Sequence, residues 1–359
     1  MNLDTILSRL RGDRDFMRNV TAWERLPARA ARYAEFPAAL DPRLVQMVQG
    51  LGLSPLYTHQ AAVIEAALAG ENVVLVTGTA SGKTLAYNLV ALQHALRDPQ
   101  AQALYLFPTK ALAQDQASAL GVLAAGLEGG EAIPVRIYDG DTPRDQRRAI
   151  RRERGVIISN PDMLHLGILP HHTQWAGFFQ NLRLVVLDEI HTYRGIFGSH
   201  LANVIRRLRR ICRFYGSDPV FICTSATIAN PRELAGRLLE APVTLVDEDG
   251  APRGEKHIIL YNPPLIDEQL GIRHSYALEA RDVAERFLRS DIQTILFARS
   301  RLMTEVLLGY VRDSVERLGR DPAAVRGYRG GYLPSERREI ERGLRTGRVR
   351  GVVATNALE

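Results

Sequence analysis

The sequence predicts an α/β protein built on parallel sheets and organised as two domains. Three observations predict it. Short apolar runs alternate along the chain with amphipathic stretches of helical length. The runs are apolar at successive positions, as strands covered by helices on both faces must be. And 359 residues are more than one hydrophobic core serves comfortably.

The runs NVVLVTG (72–78), ALYLFP (103–108), PVRIYDG (134–140), VIISN (156–160), LRLVVLDE (182–189) and PVFICTSAT (219–227) read as strands of a first domain. KTLAYNLVALQHALRD and SHLANVIRRLRRICRFYG between them carry the helical period. Residues 241–271 break this rhythm with Pro, Gly and charge, which places a domain junction there. Alternation then resumes: a helix near 272–290, QTILFAR, a long helix, VRGYRG, another helix and RGVVAT. The expected division is a helical extension over 1–55, a first domain over 56–245, a linker over 246–271 and a second domain over 272–359. The extension, with WERLPARAARYAEFP inside it, is expected to strap onto the first domain.

Composition narrows the class. Apolar residues make up 46% and charged residues 24%, the proportions of a soluble globular protein, and no run of eighteen apolar residues appears. The start, MNLDTILSRLRGDRDF, carries acids and lacks the apolar core of a signal peptide. Cys212 and Cys223 have no metal spacing and read as buried thiols of a reducing, cytoplasmic setting. The net charge is +6, and residues 271–359 hold 17 Arg against 12 Asp or Glu, a net of +5 that leaves +1 for the rest. A basic second half suits a polyanionic partner, although solvated helix faces account for much of the excess. Lysine occurs only at Lys83, Lys110 and Lys256.

Two of those lysines lie in motifs. TGTASGKT (77–84) fits G-x-x-x-x-G-K-T, follows an apolar strand and opens a helix, as a phosphate-binding loop requires. Thr77, Gly78, Thr79, Ala80, Ser81 and Gly82 supply the turn whose amides point at phosphate oxygens. Lys83 brings a compact ammonium to the β/γ-phosphates of ATP and Thr84 a hydroxyl to Mg²⁺. LRLVVLDEIH (182–191) carries two acids to the end of a strand, where an open α/β sheet has its ligand crevice. Asp188 suits the Mg²⁺ ion, and Glu189 suits a base for the water that attacks the γ-phosphate.

With DEIH as motif II and SATI (225–228) as motif III, the chain resembles the superfamily-two helicases of the DEAD/DEAH-box kind. YTHQ (57–60) resembles a Q-type motif, PTKALAQDQ (108–116) motif Ia, SNPDML (159–164) motif Ib and LFARSR (296–301) motif IV. YDGDTP, LPHH, DEIHTYRGIFGSH and GYRGGYLPSERREIE narrow the resemblance to the bacterial mitomycin-repair DNA helicases and their fungal RecQ-related relatives. It covers the chain from about residue 20 onward. It implies two RecA-like domains of a P-loop NTPase, with ATP between them and a single nucleic-acid strand across their top. By that resemblance Gln60 reads the adenine edge, and His191, Ser225 and Thr227 couple phosphate state to closure. Thr109, Lys110, Asn160 and Asp162 would touch the strand from the first domain, and Arg299, Ser300, Arg301, Arg329, Thr355 and Asn356 from the second. Hydroxyls, amides and cations at strand ends suit phosphate and sugar contacts that carry no sequence information.

The implied activity is ATP-dependent 3′-to-5′ DNA unwinding in repair, on single-stranded DNA or DNA with a single-stranded tail, with no membrane partner. An RNA-remodelling ATPase is the alternative of the same superfamily. The final stretch, GVVATNALE (351–359), resembles the front half of motif V. Motif VI, which follows it in the family and supplies arginine fingers worth roughly 10³–10⁵ in rate, is not in the sequence. The second domain is therefore expected to be incomplete, with an uncovered sheet edge, and a binding fragment of low turnover is a further alternative. Other features receive plainer readings. His165, His171 and His172 lack a metal partner, RDQRRAIRRERG (144–155) and RRLRRICR (206–213) form exposed amphipathic helices, and Trp175, Phe178 and Phe179 are core.

Overall fold

The computed structural model describes residues 2–127 and 133–358. The chain divides into two compact units, Ala28–Gly254 and a smaller one made of Met1–Pro27 together with Glu255–Glu359.

The larger unit is built on seven strands: β1 (Val73–Val76), β2 (Gln102–Leu106), β3 (Val135–Ile137), β4 (Gly155–Ser159), β5 (Leu182–Leu187), β6 (Val220–Ser225) and β7 (Thr244–Val246). Their order across the sheet is β7-β1-β6-β5-β2-β4-β3, and every neighbouring pair is parallel. The reason lies in the runs themselves. Val73 and Leu75 enter one hydrophobic core while Val74 and Val76 enter the other, and the five inner strands are sealed on both faces in this way, whereas the edge strands β3 and β7 are only partly buried. A sheet of this kind needs a helical crossover after each strand, and all strands then end at the same edge. Six of the seven strands are the six runs of the sequence. β7 is the addition, a three-residue edge strand beside β1 whose flanking Pro and acids hide so short a signal. Trp175, Phe178 and Phe179 are buried in the second core. Cys212 and Cys223 are buried there as well, their thiols pushed up to about 11 and about 12 by burial, which makes them inert.

The smaller unit holds a three-stranded parallel sheet of β8 (Thr294–Phe297), β9 (Val325–Tyr328) and β10 (Gly351–Ala354), in the order β8-β10-β9. Helices Tyr276–Leu288, Arg301–Arg317 and Pro334–Arg345 alternate with the strands. The last run of the sequence, β10, is thus the central strand, buried at all four positions. β8 and β9 are the two edge strands of this sheet, and on one face of β8 Ile295 and Phe297 are 50% and 58% exposed.

Two expectations need correction. Residues 1–27 are not a strap on the first domain. Helix Leu3–Gly12 buries Ile6, Leu7 and Leu10 with Phe16 against Trp23, Ile259, Tyr261 and Phe287, all within the smaller unit. Nor is 246–271 an open linker, since Lys256–Tyr261 pairs antiparallel with Val20–Leu26. A strand whose partner lies more than two hundred residues away leaves no local mark beyond alternation, and Pro and Gly on either side masked that.

Candidate functional site

The loop after β1 is shaped by two left-handed residues, Ala80 (φ 58°) and Gly82 (φ 81°). Gly82 suits this position on two counts: its left-handed φ strains any other residue, and a Cβ there would lie 2.6 Å from Gln60 Nε2, which would have to move. Helix α1 (Lys83–Arg97) starts immediately after it, so its first amides face the loop. Lys83 Nζ donates to the carbonyls of Thr77 (3.1 Å) and Gly78 (2.9 Å), and the hydroxyls of Thr77 and Ser81 are 2.6 Å apart. Thr79 and Ala80 are exposed at the tip. Gln60 uses both ends of its amide on backbone: Oε1 accepts from Tyr57 N–H and Nε2 donates to Gly82 O, each at 2.9 Å. In this structure the side chain expected to read adenine holds the loop.

Two further groups meet the same loop, and sequence reasoning missed them. His59 is 1% exposed; its Nε2 donates to Ser81 O (3.0 Å) and its Nδ1 accepts from Gly250 N–H (3.1 Å). Burial holds its pKa below the usual imidazole value, so it is neutral. Asp249 Oδ2 accepts from Gly78 N–H at 3.3 Å and lies 3.3 Å from Arg29 Nη2. Tyr33, Tyr57 and His59 form a row of stacked rings, with centroids 5.5 and 5.8 Å apart, and Tyr33 is the open end. His59 sits inside YTHQ and was legible there; Asp249 lies in an acid-rich turn with no signal at all.

β5 delivers Asp188 and Glu189 two strands away from the loop, with β6 between. Asp188 is 7% exposed, donates its N–H to Leu106 O (3.1 Å) and accepts from the hydroxyl of Thr224. Burial raises its pKa, a shift that the Thr224 hydrogen bond opposes. Glu189 stands at a left-handed φ of 53°, and its Oε2 is buried without a hydrogen bond. His191 Nδ1 lies 3.1 Å from that oxygen, 3.4 Å from Ser225 Oγ and 3.4 Å from Ala226 N. One nitrogen cannot donate to the carboxylate and accept from the amide at once, so its proton decides its partner. The structure thus brings Glu189, His191 and Ser225 together. Thr227 stays outside this cluster and is exposed. The threonine that meets a motif II acid is Thr224, which the sequence reading passed over.

The nucleic-acid candidates also sit at strand ends. Thr109 Oγ1 accepts from Leu112 N–H (3.4 Å) and Asn160 Oδ1 from Met163 N–H (2.8 Å), so both cap helices. Lys110 pairs with Asp141 at 2.7 Å, an exposed contact of the kind a phosphate displaces at little cost. Asp162 is exposed in the first turn that Asn160 caps. In the smaller unit Arg299, Ser300 and Arg301 follow β8, Arg329 follows β9, and Thr355 and Asn356 follow β10. Ser300 Oγ caps its helix through Met303 N–H (3.1 Å). Arg329 is committed locally: its Nε donates to Glu305 (2.6 Å) and its guanidinium lies 4.9 Å over the Tyr332 ring. Arg299, Arg301 and Asn356 are exposed.

His165 and His172 engage Arg207 (2.8 Å) and Tyr215 (2.9 Å), and no group of three or more potential metal ligands occurs among the described residues. Among those residues, no helix is long and apolar enough to cross a membrane.

A phosphate-binding loop and an acid pair on neighbouring ends of one parallel sheet define a P-loop nucleotide-binding domain. Residues 57–234 match the DEAD/DEAH box helicase family, and the chain carries that helicase domain. It is 52% identical over its whole length to the uncharacterized ATP-dependent helicase YprA of Bacillus subtilis (strain 168), covering 47% of that protein. Over 93% of its length it is 40% identical to the ATP-dependent helicase HRQ1 of Saccharomyces cerevisiae, covering 31% of it. Among solved structures it matches the DUF1998 helicase MrfA bound to DNA along its whole length, with 51% identity and a TM-score of 0.93, covering 47% of that chain. MrfA bound to DNA and AMPPNP matches at the same TM-score. Both parallel sheets are those of RecA-like helicase domains. The chain spans about half or less of the length of these relatives.

Proposed function

We propose that the chain is the ATP-binding motor portion of a DNA helicase that moves along single-stranded DNA, in the 3′-to-5′ sense, in a cytoplasmic repair role. The observation that carries the proposal is the shared edge of the seven-stranded sheet. It gathers Lys83, Thr84, Asp188, Glu189 and Ser225 next to Thr109 and Asn160. MrfA, bound to DNA and to AMPPNP in its own structures, supports the same ligands here.

The donor set fits a magnesium nucleotide. The amides that open α1 and the Lys83 ammonium would hold phosphate oxygens, while Thr84 and Asp188 would hold Mg²⁺. The bound metal would supply charge neutralisation between the β- and γ-phosphates. Glu189 Oε2, buried without a hydrogen bond and 3.1 Å from His191 Nδ1, would accept a proton from water, and His191 would orient that carboxylate. His191 also reaches Ser225, which gives Glu189 a route to motif III. The Tyr33–Tyr57 pair beside Gln60 would give the base an aromatic surface. The deciding measurement is ATP hydrolysis with and without single-stranded DNA. Stimulation by DNA is expected. Hydrolysis indifferent to any nucleic acid refutes the reading, and stronger stimulation by RNA replaces it with an RNA-remodelling one.

A further inference from the structure

Tyr87 lies one turn into α1 and is 1% exposed. Its hydroxyl is 3.3 Å from Thr84 Oγ1 on its own helix and 3.3 Å from Gln116 Oε1 on helix α2 (Lys110–Ala125), the helix that Thr109 caps. The ring meets Tyr105 of β2 edge-on at 5.3 Å, and the Tyr105 hydroxyl donates to Asn88 Oδ1 at 3.1 Å. β2 runs directly into the Thr109–Lys110 turn. Tyr87 therefore touches the strand before that turn, the helix after it and the hydroxyl beside the phosphate loop.

We infer that Tyr87 transmits metal occupancy at Thr84 to helix α2 through its single hydroxyl proton. The inference rests on Thr84 being a magnesium ligand, as proposed above. Burial, with Asp188 and Glu189 nearby, holds the phenol's pKa well above its usual value, so the proton stays in place. One proton satisfies one acceptor fully, and two stand at equal distance. A threonine oxygen whose lone pair is directed at a cation is a poorer acceptor and a better donor. Metal at Thr84 therefore turns the Tyr87 proton towards Gln116, ties α2 to α1 and steadies the Thr109–Lys110 turn. By reciprocity, a strand held on that turn favours the metal-bound loop. Tyr87 and Gln116 are positioning residues in this scheme and touch neither substrate.

The test is fluorescence anisotropy of labelled oligothymidylate binding to this chain, with AMPPNP plus Mg²⁺ or AMPPNP plus EDTA. One hydrogen bond of ordinary net strength corresponds to roughly a two- to tenfold change in affinity. Wild-type protein is expected to show a magnesium-dependent change of that size. Tyr87→Phe and Gln116→Leu should each remove most of it, and the double variant should remove no more than either alone. Gln116→Glu, which keeps an acceptor oxygen at the same reach, should restore it, and a merely structural role for Gln116 would not give that rescue. Gln116→Leu should leave metal-free AMPPNP binding unchanged, which shows that the variant is folded. Full coupling in either single variant, additive losses in the double, or uncoupled binding in the wild type overturns the inference. Wild-type protein that binds neither probe refutes the helicase reading itself.

Discussion

Thr224→Val removes one hydrogen atom's worth of chemistry from the centre of the larger unit. Thr224 is fully buried, and its hydroxyl is the side-chain donor to the Asp188 carboxylate, itself 7% exposed. Valine keeps the volume and the β-branch, so neither packing nor strand propensity opposes the change. A hydrogen bond to a charged group contributes about 1.5–3 kcal/mol, and valine leaves the largely buried carboxylate without its side-chain donor. For a unit of this size each kcal/mol moves Tm by roughly 2–4 °C, so a fall of about 3–12 °C is expected. Thr224→Ser keeps the donor and loses a methyl group, at a cost of about 1 kcal/mol. Thermal melts should therefore rank wild type above Ser and Ser above Val. The deficit has a pH signature. The folded pKa of Asp188 is raised, so its ionised form costs stability above the ordinary carboxylate pKa. Valine raises that pKa further. Its deficit should be full above the raised pKa and shrink as the pH is lowered through it and Asp188 takes up a proton. A valine variant that melts with wild type, or a serine variant that melts below it, refutes the argument.

Gly82→Ala forces a left-handed φ on a residue with a Cβ, at about 1–2 kcal/mol, and drives that atom against Gln60. Titration with a fluorescent ATP analogue should show affinity reduced by roughly tenfold or more, and wild-type affinity would show that the loop is remade on binding. His59 is a base whose folded pKa is lowered, so the native state takes up fewer protons than the unfolded one. Its contribution is intact above the ordinary imidazole pKa of about 6.5 and is lost as the pH falls below it. Melting curves across that window should lose their acid slope in His59→Asn, and an unchanged slope assigns it elsewhere. Lys110→Ala should weaken single-strand binding and lower the slope of log affinity against log salt by about 0.7, the signature of one lost phosphate contact. An unchanged slope would leave Lys110 to its pair with Asp141.

The sequence by itself determined the class of fold, because strands sealed on both faces must be apolar throughout and six of seven such runs stood out. It also determined the phosphate loop. Glycine adopts the left-handed backbone of Gly82 without strain, and in a chain that otherwise uses arginine, the lysine at Lys83 marks a slot for a compact cation. Asp188 and Glu189 were legible because two acids ending an apolar strand follow a phosphate loop roughly a hundred residues upstream, the pairing a P-loop nucleotide site requires. Tertiary structure alone decided what surrounds them. Asp249 reaches Gly78 across 171 positions, and nothing in an acid-rich turn announces that. Thr224 and Thr227 differ only in where the strand ends: one is sealed against Asp188, the other left in solvent. The pairing of Val20–Leu26 with Lys256–Tyr261 likewise depends on two distant edges finding each other. Local propensity records a residue's own backbone, whereas a hydrogen bond between remote segments is recorded only in their packing, and that is why the loop, the strand and the acids could be read while their partners could not.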